Sequence, residues 1–312
     1  MKTRNRLSVV VLFLTFVSCT NNKNVDLAIK NSPEEPREIV SDHYELFLPN
    51  TQEGLLILFP CFPCNAENTR TEFNIIDLAI SNHIAVLLMN FNQHLWLSSQ
   101  EKKELENIIM NAINKNSINA SNTYIGGFSS GGNVSLLLAD YLKSSKSPIQ
   151  PQGVFIADSP IDLLALYENA QKTIKKNFSE IAVGEAKWIV EMLETDIGRG
   201  DTALVKYKMK SPYLSCINAI NNLSALNDLE IRLYSEPDTA WWKKNRQAEY
   251  EDMNAYYIEQ FTDDLTEMYG DENVTYIKTE NRGYRSNGDR HPHSWSIIDE
   301  NGLVNWILSK QK

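Results

Sequence analysis

Thr123-Tyr124-Ile125-Gly126-Gly127-Phe128-Ser129-Ser130-Gly131-Gly132 is the stretch that decides how this chain is read. A β-prone run ends in glycines, and a serine stands among them. Val134, Leu137, Leu138 and Tyr141 then recur at helical spacing on one face. The stretch therefore predicts a buried strand, a tight turn and a helix, with Gly127-Phe128-Ser129-Ser130-Gly131 spelling G-x-S-x-G at the turn. The small residues have a physical reason. A turn this sharp strains the backbone of its central residue and crowds strand against helix, so side chains at Gly127 and Gly131 would clash. The turn lifts the Ser129 hydroxyl clear of the strand and leaves unpaired N–H groups at the start of a helix, where negative charge is welcome.

Outward from this point, strands and helices alternate. Tyr44, Leu46 and Leu48 alternate as a strand within Ile39 to Leu48, and Leu55 to Phe59 is a short continuous apolar run. Phe73 to Ile80 reads as helix, His83 to Phe91 holds a buried strand, and Glu101 to Asn114 is an amphipathic helix. After the quoted stretch come strands at Val154 to Ala157 and Ile231 to Tyr234, a long helix over Ala248 to Tyr269, a strand at Val274 to Lys278, and a closing helix over Leu303 to Leu308. This βαβα rhythm predicts an α/β fold, a doubly wound, mostly parallel sheet covered on both faces, with ligands expected outside the carboxyl ends of its strands. The rhythm breaks at about 163–227, where helical and polar stretches carry Leu164, Tyr167, Ile174, Trp188 and Met192 but no sheet strand. Long insertions of this kind often form binding loops or lids, and this one is read as a helical cap.

The 312 residues are 42% hydrophobic, enough for a sizeable core, and carry a formal net charge of −10. That balance argues against nucleic acid as a partner. Lys2, Arg4 and Arg6 precede a short apolar run from Leu7 to Val17, the pattern of an export signal over 1–18. Phe16-Val17-Ser18-Cys19 resembles a bacterial lipobox, with Phe16 in place of the usual leucine. The resemblance implies that Cys19 is lipidated, that 19–37 is a tether, and that a domain over 38–312 is exported and held at a membrane. The alternative is ordinary cleavage and release. The remaining cysteines are Cys61, Cys64 and Cys216.

Of five histidines, only His291 and His293 follow Ser129, in Asp289-Arg290-His291-Pro292-His293-Ser294-Trp295 between the last strand and the last helix. Ser235-Glu236-Pro237-Asp238 follows the strand Ile231 to Tyr234. Taken together, the chain resembles a bacterial α/β-hydrolase fold protein of the serine esterase type from about Leu55 to Leu308. In that family the chain order is serine, acid, histidine. The resemblance implies a catalytic triad: Ser129 as nucleophile, His293 as proton shuttle and Asp238 as the orienting acid, Ser235-x-x-Asp238 matching the family's spacing. Glu236 stands as the alternative acid. Pro292 constrains His291 to extended backbone, which suits a supporting role. The pair as a His-x-His metal site is the minor reading, and no second cluster of ligands supports it.

The family's second oxyanion donor lies on the loop after an earlier strand, here Phe59-Pro60-Cys61-Phe62-Pro63-Cys64, where the usual glycines are absent. The N–H groups of Cys61 and Phe62, with that of Ser130, are the candidate donors; the prolines have none. Cys61-Phe62-Pro63-Cys64 also resembles a thioredoxin-type redox motif. A thioredoxin domain is much shorter and would leave the serine turn and the histidine loop unexplained. The reading is thus a cofactor-free hydrolase of a small-molecule or peptide acyl substrate working through an acyl-enzyme. A non-catalytic binding protein on the same scaffold and a thiol–disulfide exchanger are the alternatives.

Overall fold

A computed structural model of the protein describes residues 36–91, 94–199, 201–220 and 222–309. The leader, Cys19 and nearly all of the tether lie outside the described residues. Eight strands form one sheet: β1 (Arg37–Val40), β2 (Tyr44–Leu48), β3 (Gly54–Phe59), β4 (Ile84–Met89), β5 (Thr123–Phe128), β6 (Pro151–Ala157), β7 (Glu230–Ser235) and β8 (Val274–Lys278). Their order is β1-β2-β4-β3-β5-β6-β7-β8. β2 is antiparallel to both β1 and β4, and every other pairing is parallel. This is the α/β-hydrolase fold.

β3, β4 and β5 are buried at every residue, which is why their sequences are unbroken apolar runs and not alternating ones. Ile57, Phe59 and Ile125 face one core, with Ile109, Val134, Leu137 and Phe261 from the helices over it. Leu56, Leu58, Tyr124 and Phe155 face the other, closed by Phe73, Trp295, Leu303 and Trp306. From β3 the chain steps outward to β4 and then returns to the opposite side of β3 as β5. The carboxyl ends of β3 and β5 therefore flank a topological switch point, the place where such sheets hold their ligands.

The helices are α1 (Ala66–Glu72), α2 (Ile76–Ser81), α3 (Ser99–Asn116), α4 (Ser130–Ser144), α5 (Leu163–Lys176), α6 (Glu180–Asp196), α7 (Asp201–Lys210), α8 (Thr239–Arg246), α9 (Asn254–Tyr269) and α10 (Glu300–Leu308). α5, α6 and α7 make up the segment between β6 and β7 that lacks sheet strands. The alternation at Tyr44, Leu46 and Leu48 is β2, and Ser41 turns the chain between β1 and β2 by accepting and donating hydrogen bonds with Tyr44. One expectation is corrected. The helix read over Ala248–Tyr269 starts at Asn254, after a short 3₁₀ turn at Tyr250–Asp252. Among the described residues, no helix is long and apolar enough to cross a membrane.

Candidate active site

Ser129 lies between β5 and α4 at φ 55°, ψ −127°, a backbone conformation that L-residues rarely adopt. The glycines around it answer to backbone approach. A Cβ on Gly127 would lie 2.2 Å from the carbonyl of Gly131, and a Cβ on Gly131 would lie 2.3 Å from the Phe59 carbonyl oxygen. The second contact has a further consequence: the loop leaving β3 lies directly on the first turn of α4. Cys61, Phe62 and Ser130, the candidate oxyanion donors, thus belong to two segments in contact.

That loop is closed by a Cys61–Cys64 disulfide, and the Cys64 N–H donates to the Cys61 carbonyl at 2.7 Å. Phe62 stacks on Trp188 of α6 with ring centroids 5.0 Å apart. Its position is therefore shared between the sheet and the helical insertion. Cys216 is a free thiol.

The Ser129 N–H donates to the Ala157 carbonyl at 2.9 Å, so the residue after Ala157 is its neighbour across the parallel β5–β6 pair. That residue is Asp158. Its φ of 44° turns the chain at the strand end, its N–H donates to Tyr234 at 2.8 Å, and its carbonyl accepts from the Asn254 amide at 2.8 Å. The Asp158 carboxylate lies 2.6 Å from Nδ1 of His293. A carboxylate only accepts, so Nδ1 carries a proton, which leaves Nε2 as the acceptor nitrogen of the neutral ring. The His293 ring also packs on Phe128, the residue before Ser129, at 4.5 Å between centroids. Trp295, buried and stacked on Phe73 at 4.6 Å, anchors the segment that carries His293.

Neither carboxylate named from the sequence meets the histidine. Glu236 is buried and accepts the N–H groups of Arg282 and Gly283 at 2.8 and 3.0 Å and the Thr279 hydroxyl at 3.1 Å, and it pairs with Arg290. Asp238 caps α8 through the Trp241 N–H at 2.9 Å and accepts from Arg290 at 2.8 Å. Arg290 further donates to the Gly283 carbonyl at 2.7 Å. The two acids hold the histidine loop against the end of β7. The reason is strand order: β7 is two strands from β5, whereas β6 is its neighbour, so the carboxylate beside the serine turn is the one that ends β6. The missed residue had a weak signal in sequence, an aspartate directly after the buried run Val154-Phe155-Ile156-Ala157.

His291 lies against His293 and the tryptophans of α8. Its Nδ1 accepts the His293 N–H at 3.2 Å, and its ring lies 4.7 Å from Trp241 and 5.9 Å from Trp242. Burial, then the nearby charges of His293, Arg285 and Arg246, push its pKa down to about 3. It is a neutral acceptor at ordinary pH. Among the described residues, no group of three or more His, Cys, Asp or Glu side chains is disposed to hold a metal.

A cavity of about 240 Å³ opens beside His293, between α5 and α6 of the insertion and the histidine loop. Its walls include Leu166, Ala170, Ala186, Ile189 and Trp242 as well as His291 and His293.

No protein-family model matches the chain, and no curated protein is recognisably similar to it in sequence. Solved structures are similar in fold. An S-formylglutathione hydrolase from Agrobacterium tumefaciens superposes with TM-score 0.52 at 10% identity, over 89% of this chain and 95% of that one. An esterase/lipase from an uncultured bacterium gives 0.54 at 11% identity, over 88% and 85%. EstE5, soaked with p-nitrophenyl butyrate, gives 0.55 at 11% identity, over 88% and 85%. At these identities the likeness is one of fold.

Proposed function

We propose that the protein is a serine hydrolase that cleaves carboxylic esters through an acyl-enzyme. The observation that carries this reading is the Asp158 carboxylate on His293 Nδ1 at 2.6 Å, beside a strained serine on the adjoining strand end. In the proposed mechanism His293 Nε2 takes the Ser129 hydroxyl proton as the oxygen attacks the acyl carbon. Asp158 holds the imidazole in the required tautomer and stabilises the imidazolium. The N–H of Ser130, with that of Cys61 or Phe62, receives the charge on the tetrahedral oxygen. His293 then gives the proton to the departing alkoxide. A water, deprotonated by the same nitrogen, releases the acid. The esterases that share the fold support the choice of bond.

Fluorophosphonate labelling tests the reading. Wild-type protein should label at Ser129, and Ser129→Ala should lose both the label and hydrolysis of p-nitrophenyl esters. A folded wild-type protein that does not label would sink it.

The reading extends to location: an exported protein held at a membrane by lipid on Cys19. The basic, apolar and Ser18-Cys19 succession supports this. Cys19→Ser should move the protein from the membrane fraction to the soluble one.

A further inference from the structure

The cavity beside His293 is not evenly charged. Three cations line it, Lys176, Arg246 and Arg285, against two carboxylates, Glu185 and Asp252. Lys176 pairs with Asp252 at 3.1 Å, and Arg246 pairs with Glu185 at 3.3 Å. The third cation is left over. Among the described residues, the Arg285 guanidinium has no ion pair or hydrogen bond. The acids whose charge reaches it, Glu72 and Glu185, are engaged elsewhere: Glu72 accepts from the Ser286 N–H at 3.0 Å and hydroxyl at 2.8 Å, and Glu185 is held by Arg246.

The backbone of Arg285 is fixed in place. Its N–H donates to the Asp289 carbonyl at 2.8 Å, its carbonyl accepts from Gly288 at 2.9 Å, and the flanking Tyr284 and Arg290 form a β-bridge. A part-buried guanidinium that lines a cavity and has no ion pair among the described residues is an arrangement in which a bound anion replaces lost hydration. Burial lowers the Arg285 pKa from its ordinary value, against the upward pull of Glu72 and Glu185.

The cavity also has a side. Its walls contain His293, the group that protonates the departing oxygen, and contain none of Cys61, Phe62 and Ser130. The space thus adjoins the proposed general acid and not the candidate oxyanion donors, and it is assigned here to the leaving group.

We infer that Arg285 is a specificity-determining residue that binds a carboxylate on the leaving group, so that the preferred substrates are esters of hydroxy acids. The inference deepens the esterase reading and rests on it for the bond broken. In the reaction the acyl carbon–oxygen bond breaks, the oxygen of water becomes part of the released acid, and His293 returns one proton to the leaving oxygen. Arg285 holds the leaving group's carboxylate throughout.

The test compares 4-acetoxybenzoate with its neutral methyl ester. The ratio of kcat/KM, acid over methyl ester, is measured in wild type, Arg285→Gln and Arg285→Lys. Intrinsic reactivity cancels when the ratios are compared between variants. The wild-type ratio should exceed that of Arg285→Gln by about 10-fold or more, the strength of a charge-assisted hydrogen bond, with Arg285→Lys between them. An Arg285→Gln ratio equal to wild type would overturn the inference. Binding of 4-hydroxybenzoate to Ser129→Ala protein, read by calorimetry with and without Arg285→Gln, separates this from the parent reading. Loss of binding on Arg285→Gln supports the anion site even if neither ester is hydrolysed. Binding that is absent, or indifferent to Arg285, overturns it even if both are.

Discussion

Asp158 is a short distance from His293, while Glu236 and Asp238 are spent on Arg290, and this division of labour separates three carboxylates by role. Asp158→Asn keeps the shape but offers an amide to Nδ1, which favours the wrong tautomer. Ester kcat should fall about 10²–10⁴-fold with little change in melting temperature. Asp238→Asn should leave kcat within about threefold, since Asp238 reaches the histidine only through the loop it helps to pin. Glu236→Gln should behave differently again. It leaves the part-buried Arg290 without its fully buried partner, and stability should fall by about 3 kcal/mol. Steady-state kinetics and thermal melts on the three variants read all of this, and equal kcat in Asp158→Asn and wild type would end the triad assignment. The sequence led to Asp238 because the spacing after β7 matched a known pattern. Which strand end lies beside Ser129 is a matter of sheet order, and a single chain does not display sheet order in its residues.

The elements were legible to the extent that burial wrote them. Leu55–Phe59 and Ile84–Met89 are continuous apolar runs because both faces of the sheet are covered, and the glycines at Gly127 and Gly131 are visible because backbone occupies the space a Cβ would need. α8 left no such trace, since none of its residues is buried and its sequence has no apolar stripe. The same logic makes the serine turn brittle. Gly131→Ala places a methyl against the Phe59 and Pro60 carbonyls, so either α4 or the β3 loop must shift. Stability should drop by about 2–3 kcal/mol, and esterase activity should drop further than stability explains, because the proposed oxyanion donors sit on those two segments. An active Gly131→Ala protein with unchanged melting would contradict this. The disulfide belongs to the same element. Cys61 and Cys64 are three residues apart, so their bond closes a very short loop and adds at most about 2 kcal/mol. It does fix the segment whose N–H groups are the proposed oxyanion donors. Full reduction, verified as two additional thiols, should lower kcat at least about tenfold while unfolding moves little. Unchanged kcat in the reduced protein would remove Cys61 and Phe62 from the oxyanion assignment.

At the scale of the whole molecule, acid should loosen the fold in two stages. With a net charge of −10, the chain carries many carboxylates, and two groups with large downward shifts set the two stages. His291 is the first. Burial and its cationic neighbours hold its pKa near 3, against about 6.5 in the unfolded chain. The unfolded state therefore binds more protons than the native state between those values, and stability falls as the pH drops from 6.5 toward 3. Allowing for the partial exposure of the ring, about 1–2 kcal/mol should be lost by pH 4.5. Glu101 is the second. Burial alone would raise its pKa, but hydrogen bonds from His94 and from Ser98 outweigh this and bring it to about 2. Its contribution is complete above the ordinary carboxylate range and is lost only as the pH falls through about 4.5 toward 2. Denaturant unfolding at pH 7.5, 4.5 and 3 separates the two stages. His291→Asn, which keeps an acceptor for the His293 N–H, should cancel most of the loss between pH 7.5 and 4.5. Glu101→Gln should leave that interval alone and flatten the lower one. A wild-type loss between pH 7.5 and 4.5 that persists in full in His291→Asn would mean that His291 is not the part-buried neutral base that holds the histidine loop.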